Sequence, residues 1–116
     1  MIKFPEVPLG RGPVVMLNLV QFKDRSIYIN EYLPAFNKVI AELGIEGVKV
    51  KFLGEVISSV IAEENEQWDE VLLVEYPSAE IFKSIAESEQ YQLKANPLRI
   101  AGTAKLKLIM TRSIDY

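Results

Sequence analysis

The stretch PVVMLNLVQF, Pro13 to Phe22, decides the fold. It is apolar almost throughout, with one amide, Asn18, in its middle. A strand with one wet face alternates apolar and polar residues. This one does not. One parity holds Val14, Met16, Asn18, Val20 and Phe22; the other holds Val15, Leu17, Leu19 and Gln21. Trp68 to Tyr76 repeats the pattern, with Val71, Leu73 and Glu75 against Leu72, Val74 and Tyr76. Both strands are expected to be covered on two sides.

Outward from the first strand, KDRS turns the chain, and Asp24 or Ser26 can cap a helix. From Ile27 to Leu43 the spacing is helical: Tyr28, Tyr32, Phe36, Ile40 and Leu43 form a stripe beside Ile29, Leu33 and Val39. Pro34 has no backbone donor, so a kink or restart is expected near Tyr32. Gly44 ends the helix in a left-handed cap. Val48 to Ala62 is expected as a long second strand with a bulge at Gly54, followed by the polar turn EENEQ. The third strand, Trp68 to Tyr76, then closes a hairpin and stops at Pro77. Ser78 caps a second helix with Ile81, Phe82, Ile85 and Ala86 on its buried face. SEQYQLKANPLR is a further short helix or a turn pair, and Ala104 to Arg112 is the last strand, with Leu106, Leu108 and Met110 on one face.

The order β-α-β-β-α-β is the ferredoxin-like split βαβ pattern, an α+β fold with a four-stranded antiparallel sheet. Its first strand lies between the third and the fourth. Residues 14–116 form one domain, and residues 1–13, with Pro5, Pro8, Gly10 and Gly12, read as an extended arm over a sheet edge or a partner subunit. Two helices cover only one parity of the sheet. The other leaves a continuous apolar patch, which marks an interface. The expectation is a homodimer in which two sheets face each other as a dimeric α+β barrel, since two-fold homodimers are the commonest oligomers.

Composition excludes much. The chain of 116 residues is 49% hydrophobic and 25% charged, an ordinary globular balance that can bury a core without disulfides. It has no Cys and no His, so thiolate nucleophiles, zinc-thiolate sites, imidazole metal or haem ligands and a histidine base are all absent. No metal and no cofactor is implied. Net charge is −3, which disfavours nucleic acid. Lys49, Lys51, Lys105 and Lys107 read as solvated strand faces rather than a basic patch. No apolar run approaches the roughly 20 residues that span a bilayer, and MIKFPEVPLGRGP lacks a signal-peptide apolar core, so a cytoplasmic protein without a membrane partner is the default.

The combination VVMLNLVQFKD, YINEYLPAF, ELGIEG and LGEV, followed by QWDEVLLVEYPSAEIFKSIAESEQYQ and an Arg, is distinctive. It resembles an uncharacterised domain-of-unknown-function family within the dimeric α+β barrel superfamily, which also holds antibiotic-biosynthesis monooxygenase-like and muconolactone isomerase-like proteins. The resemblance runs from about Val14 to Arg112 and is sharpest between Trp68 and Arg99. It departs at Ile85, where the family often carries Trp. The resemblance implies the fold, the dimer and a cofactor-independent monooxygenase- or isomerase-like chemistry on a small apolar or aromatic molecule.

Six side chains are candidates for a site. Asn18 orients a ligand or satisfies neighbouring backbone, and both readings stay open. Glu75, if buried, would be a general base or acid; otherwise it pairs with Arg99 or meets solvent. Arg99 would bind a carboxylate or enolate through its guanidinium fork. Tyr32, Trp68 and Tyr91 are amphipathic aromatics that line a pocket mouth or pack. Tyr28 is a weaker candidate. Ser58 and Ser59 lack an activating His, and EENEQ lacks the spacing of a calcium loop. A cavity lined by Asn18, Glu75 and Arg99 would favour an enzyme or a non-catalytic ligand-binding dimer. A densely filled interior would favour a plain dimerisation module.

Overall fold

The computed structural model describes residues 10–115, so most of the expected arm at 1–13 lies outside the described residues. The element order starts with β1 (Val14–Phe22), whose bounds match the expected strand. A continuous helix, α1 (residues 25–42), follows. Asp24 supplies its cap, accepting from the Ile27 backbone N–H at 3.2 Å. The helix opens as Arg25–Ile27, widens through a π turn at Tyr28–Tyr32 and resumes as Leu33–Glu42. The Leu33 N–H reaches back five residues to the Tyr28 carbonyl. Pro34 is the cause, because it has no N–H to continue the regular ladder. Gly44 sits at φ +67° just past the helix, in the left-handed region where other residues are strained.

The remaining elements are β2 (Lys49–Glu55), β3 (Glu70–Tyr76), α2 (Ala79–Ala86), α3 (Glu89–Lys94), α4 (Asn96–Gly102) and β4 (Thr103–Thr111). Ser78 caps α2 through Ile81, and Ser88 caps α3 through Tyr91, each bond 3.1 Å. The sheet order is β2-β3-β1-β4, with all neighbours antiparallel. This is the ferredoxin-like α+β fold. Two expectations need correction. The second strand ends at Glu55, not Ala62, because its partner begins only at Glu70. The Val56 N–H to Asp69 carbonyl bond, 2.9 Å, closes the pairing. The register also slips between Val50 and Phe52 rather than at Gly54.

Gly54 and Gly102 serve close approach. The Phe52 ring lies across Gly54, where a Cβ would collide with it. A Cβ on Gly102 would press the Tyr28 backbone at 3.0–3.1 Å, and the Gly102 carbonyl accepts from the Lys23 and Asp24 N–H groups. Gly102 therefore pins α4 beneath the start of α1.

Register sorts the two faces of the sheet. Val14, Met16, Val20, Glu70, Leu72, Val74 and Tyr76 are buried under the helices. Their core includes Ala79, Phe82, Ile85 and Ala86 of α2, with Leu33, Phe36, Ile40 and Leu43 packed against it. The opposite parity, Val15, Leu17, Leu19, Val71, Leu73 and Glu75, remains half-buried in the single chain, with no helix of the described residues over it.

Candidate functional site

Polar groups gather on the helix side of the sheet. Glu70 opens β3 in register with Val20, one inward pair along from Asn18 and Leu72. Glu70 is only 6% exposed, and its Oε2 has no hydrogen-bond partner among the described residues. Burial without a partner disfavours the carboxylate, so its pKa is raised; the Arg25 guanidinium pulls it back in part. Tyr28 is fully buried, and its hydroxyl is pushed upward first by burial, then by the Glu70 charge and by Tyr91. Burial also raises Tyr32 and Tyr76, each further influenced by Tyr91. These phenols stay neutral, as hydrogen-bond donors, across the working pH range.

The tyrosines belong to an aromatic ladder. Ring centroids run from Phe22 to Tyr28 at 5.5 Å, Tyr28 to Tyr32 at 5.3 Å, Tyr32 to Phe36 at 6.2 Å and Phe36 to Tyr91 at 6.0 Å. The spacing comes from α1, where residues four apart share a face. The Tyr32 and Tyr91 hydroxyls meet at 3.1 Å. That bond uses one hydrogen and leaves the pair one more to donate.

The six expected residues do not form one site. Asn18 faces inward, and its amide donates to the Met16 carbonyl at 3.2 Å and the Leu72 carbonyl at 3.1 Å. Both of its hydrogens are thus engaged with the backbone of its own sheet. Tyr32 and Tyr91 share the interior with it. Glu75 lies on the other face, in register with Val15 and Lys49. The parity of β3 separates it from Asn18, so the expected cavity of Asn18, Glu75 and Arg99 does not assemble. Arg99 turns to its own helix: its Nε donates to Asn96 Oδ1 at 2.9 Å, and the expected pair with Glu75 is not among the ion pairs of the described residues. Trp68 stands at the rim, with the Lys107 ammonium 5.7 Å from its ring centroid. Lys107 also meets Glu66 at 3.2 Å.

Glu70 is the residue that sequence reasoning missed. It shares parity with Leu72, Val74 and Tyr76, so alternation alone placed it on their face. Among the described residues no group of three Asp or Glu side chains is arranged to hold a metal ion, and no helix is long and apolar enough to cross a membrane. The four lysines of β2 and β4 stand on opposite edges of the sheet and form no common basic patch.

No family model matches the sequence, and no curated protein matches it. Solved structures do. A protein of unknown function from Rhodopseudomonas palustris is 27% identical, with a TM-score of 0.78 over 92% of this chain and 86% of that one. A dabb family protein with a ferredoxin-like fold from Mesorhizobium loti is 12% identical, with a TM-score of 0.58 over 90% of this chain and all of that one. A dimeric protein of unknown function with a ferredoxin-like fold from Bacteroides fragilis is 15% identical, with a TM-score of 0.50 over 89% of this chain and 98% of that one. These likenesses show the ferredoxin-like fold.

Proposed function

We propose that the chain acts as a homodimeric α+β barrel and moves a proton on a small aromatic or apolar molecule held between the sheet and the helices, without a cofactor. The carrying observation is Glu70, a buried carboxyl with an unpartnered oxygen beside a tyrosine-rich wall. A carboxyl whose pKa is raised toward the working pH suits general acid or base catalysis. Glu70 would take a proton from carbon next to a carbonyl, the electron pair passing to the carbonyl oxygen. A neutral tyrosine hydroxyl would donate to that oxyanion. Returning the proton to a different carbon completes an isomerisation.

This is the isomerase-like branch of the resemblance, with Glu70 in the role first given to Glu75. Asn18 holds β1 and β3 in place there, and Tyr32 and Tyr91 form the wall. Glu75 falls instead on the face assigned to the second copy. The apolar parity of Val15, Leu17, Leu19, Val71 and Leu73 supports that dimer, as does the description of the Bacteroides fragilis neighbour as dimeric. The test is hydrogen exchange in D2O against a panel of small cyclic enones and aryl ketones, followed by NMR. Wild type is expected to incorporate deuterium next to the carbonyl, and Glu70→Gln to lose at least 100-fold in rate. An unchanged rate in Glu70→Gln would remove it as the base. Saturation transfer from protein to ligand without exchange would favour the non-catalytic binding dimer.

A further inference from the structure

The connection from β2 to β3 is both apolar and open to water. It contains Ile57, Val60 and Ile61, which are 97%, 89% and 96% exposed. Three large β-branched residues within five positions, all in full contact with water, make an apolar patch with no cover among the described residues. The segment is written as a strand, but β3 begins too late to pair with it. Its return limb is tied to the open face of the sheet. Glu66 bonds Lys107, Lys107 stands over Trp68, and Lys107 shares the open-face register of Leu19. The arm therefore leaves the molecule at the rim of the uncovered apolar face and is continuous with it.

We infer that residues 56–62 form an arm that clasps a second copy of this chain. Area supports that occupant. Four strands of seven to nine residues present a face of roughly 19 by 25 Å, on the order of 500 Å2. A standard interface takes about 800 Å2 from each partner. The flat face alone falls short, and the arm supplies the rest. Reach supports it as well. Seven residues extend about 23 Å, and facing sheets pack about 10 Å apart, so the arm crosses the seam and lies along the edge of the facing sheet. Charge is complementary: Glu63 and Glu64 follow the apolar segment, and both edge strands of the sheet carry exposed lysines, among them Lys49 and Lys105.

This inference rests on the dimer reading, and its test separates the two. The dimer dissociation constant is measured by sedimentation equilibrium for wild type, for the triple variant Ile57→Ser, Val60→Ser, Ile61→Ser, and for Leu73→Asp on the sheet face. The triple variant is expected to raise the constant at least 30-fold while its far-UV circular dichroism stays that of wild type. Amides of residues 56–62 in the wild type are expected to exchange at least tenfold more slowly at dimer concentrations than at monomer concentrations. A dimer weakened by Leu73→Asp but not by the triple variant, with arm amides exchanging freely throughout, would overturn the arm and leave the dimer standing. A wild type that is monomeric at every concentration would overturn both.

Discussion

The two faces of one sheet make the most instructive contrast in the molecule. They are built from the same strands, and on the central pair, β1 and β3, both parities are largely apolar. One face lies under the helices, and it contains the core together with every buried polar group described above. The other has no helix of the described residues over it and is rimmed by the exposed Ile57, Val60 and Ile61. On that central pair the helices, not composition, separate core from open face, whereas β4 turns Leu106, Leu108 and Met110 inward and Lys105 and Lys107 outward. α1 and α2 can reach only one parity, and the first turn of α1 brings Arg25 and Tyr28 to the end of the sheet where Glu70 sits. The same hydrophobic driving force builds a core on one side and, in the dimer proposed above, a docking surface on the other.

The contrast can be broken by paired substitutions. Ile85 is fully buried under the inner face, so Ile85→Ala is expected to cost about 2–5 kcal/mol of folding stability, read by urea melts. Leu73 is its counterpart on the outer face. Leu73→Ser, measured at a concentration below dimer dissociation, is expected to cost about 1 kcal/mol or less, as for a half-exposed site. Equal losses would mean that the outer face already has a cover within the single chain.

Glu70 gives the smallest and most specific effect. Its pKa in the folded protein is raised above the unfolded value. The folded state therefore binds more protons than the unfolded state between those two values. The contribution is favourable while the carboxyl is protonated and is lost as pH rises from the ordinary carboxylate range through the raised pKa. Wild-type stability should fall across that window, and Glu70→Gln should flatten that slope. A slope unchanged by the substitution would place the Glu70 carboxyl in water.

Much of this was legible in the sequence because it is decided locally. Val14 to Phe22, the Asp24 and Ser78 caps, the restart forced by Pro34 and the left-handed Gly44 all follow from backbone chemistry within a few residues. Two features were not legible, for one shared reason. Whether residues 56–62 form a strand depends on a pairing partner that the local pattern VKVKFLGEVISSVIA cannot supply. Whether Glu70 or Glu75 faces the interior depends on which parity the helices choose. On β3 both parities are apolar, so alternation leaves that choice open. The partner of Arg99 is also decided by the fold. Its short helix offers Asn96 one turn back, a nearer partner than the sheet.

In the proposed dimer the open sheet face is an unfinished interface completed by a second copy. Sedimentation equilibrium of the wild-type chain at tens of micromolar tests it most directly. A single species of twice the 13.1 kDa chain mass, dissociating on dilution, is expected. A species of 13.1 kDa that persists at those concentrations, with Val15, Leu17, Leu19, Val71 and Leu73 still in water, would contradict it.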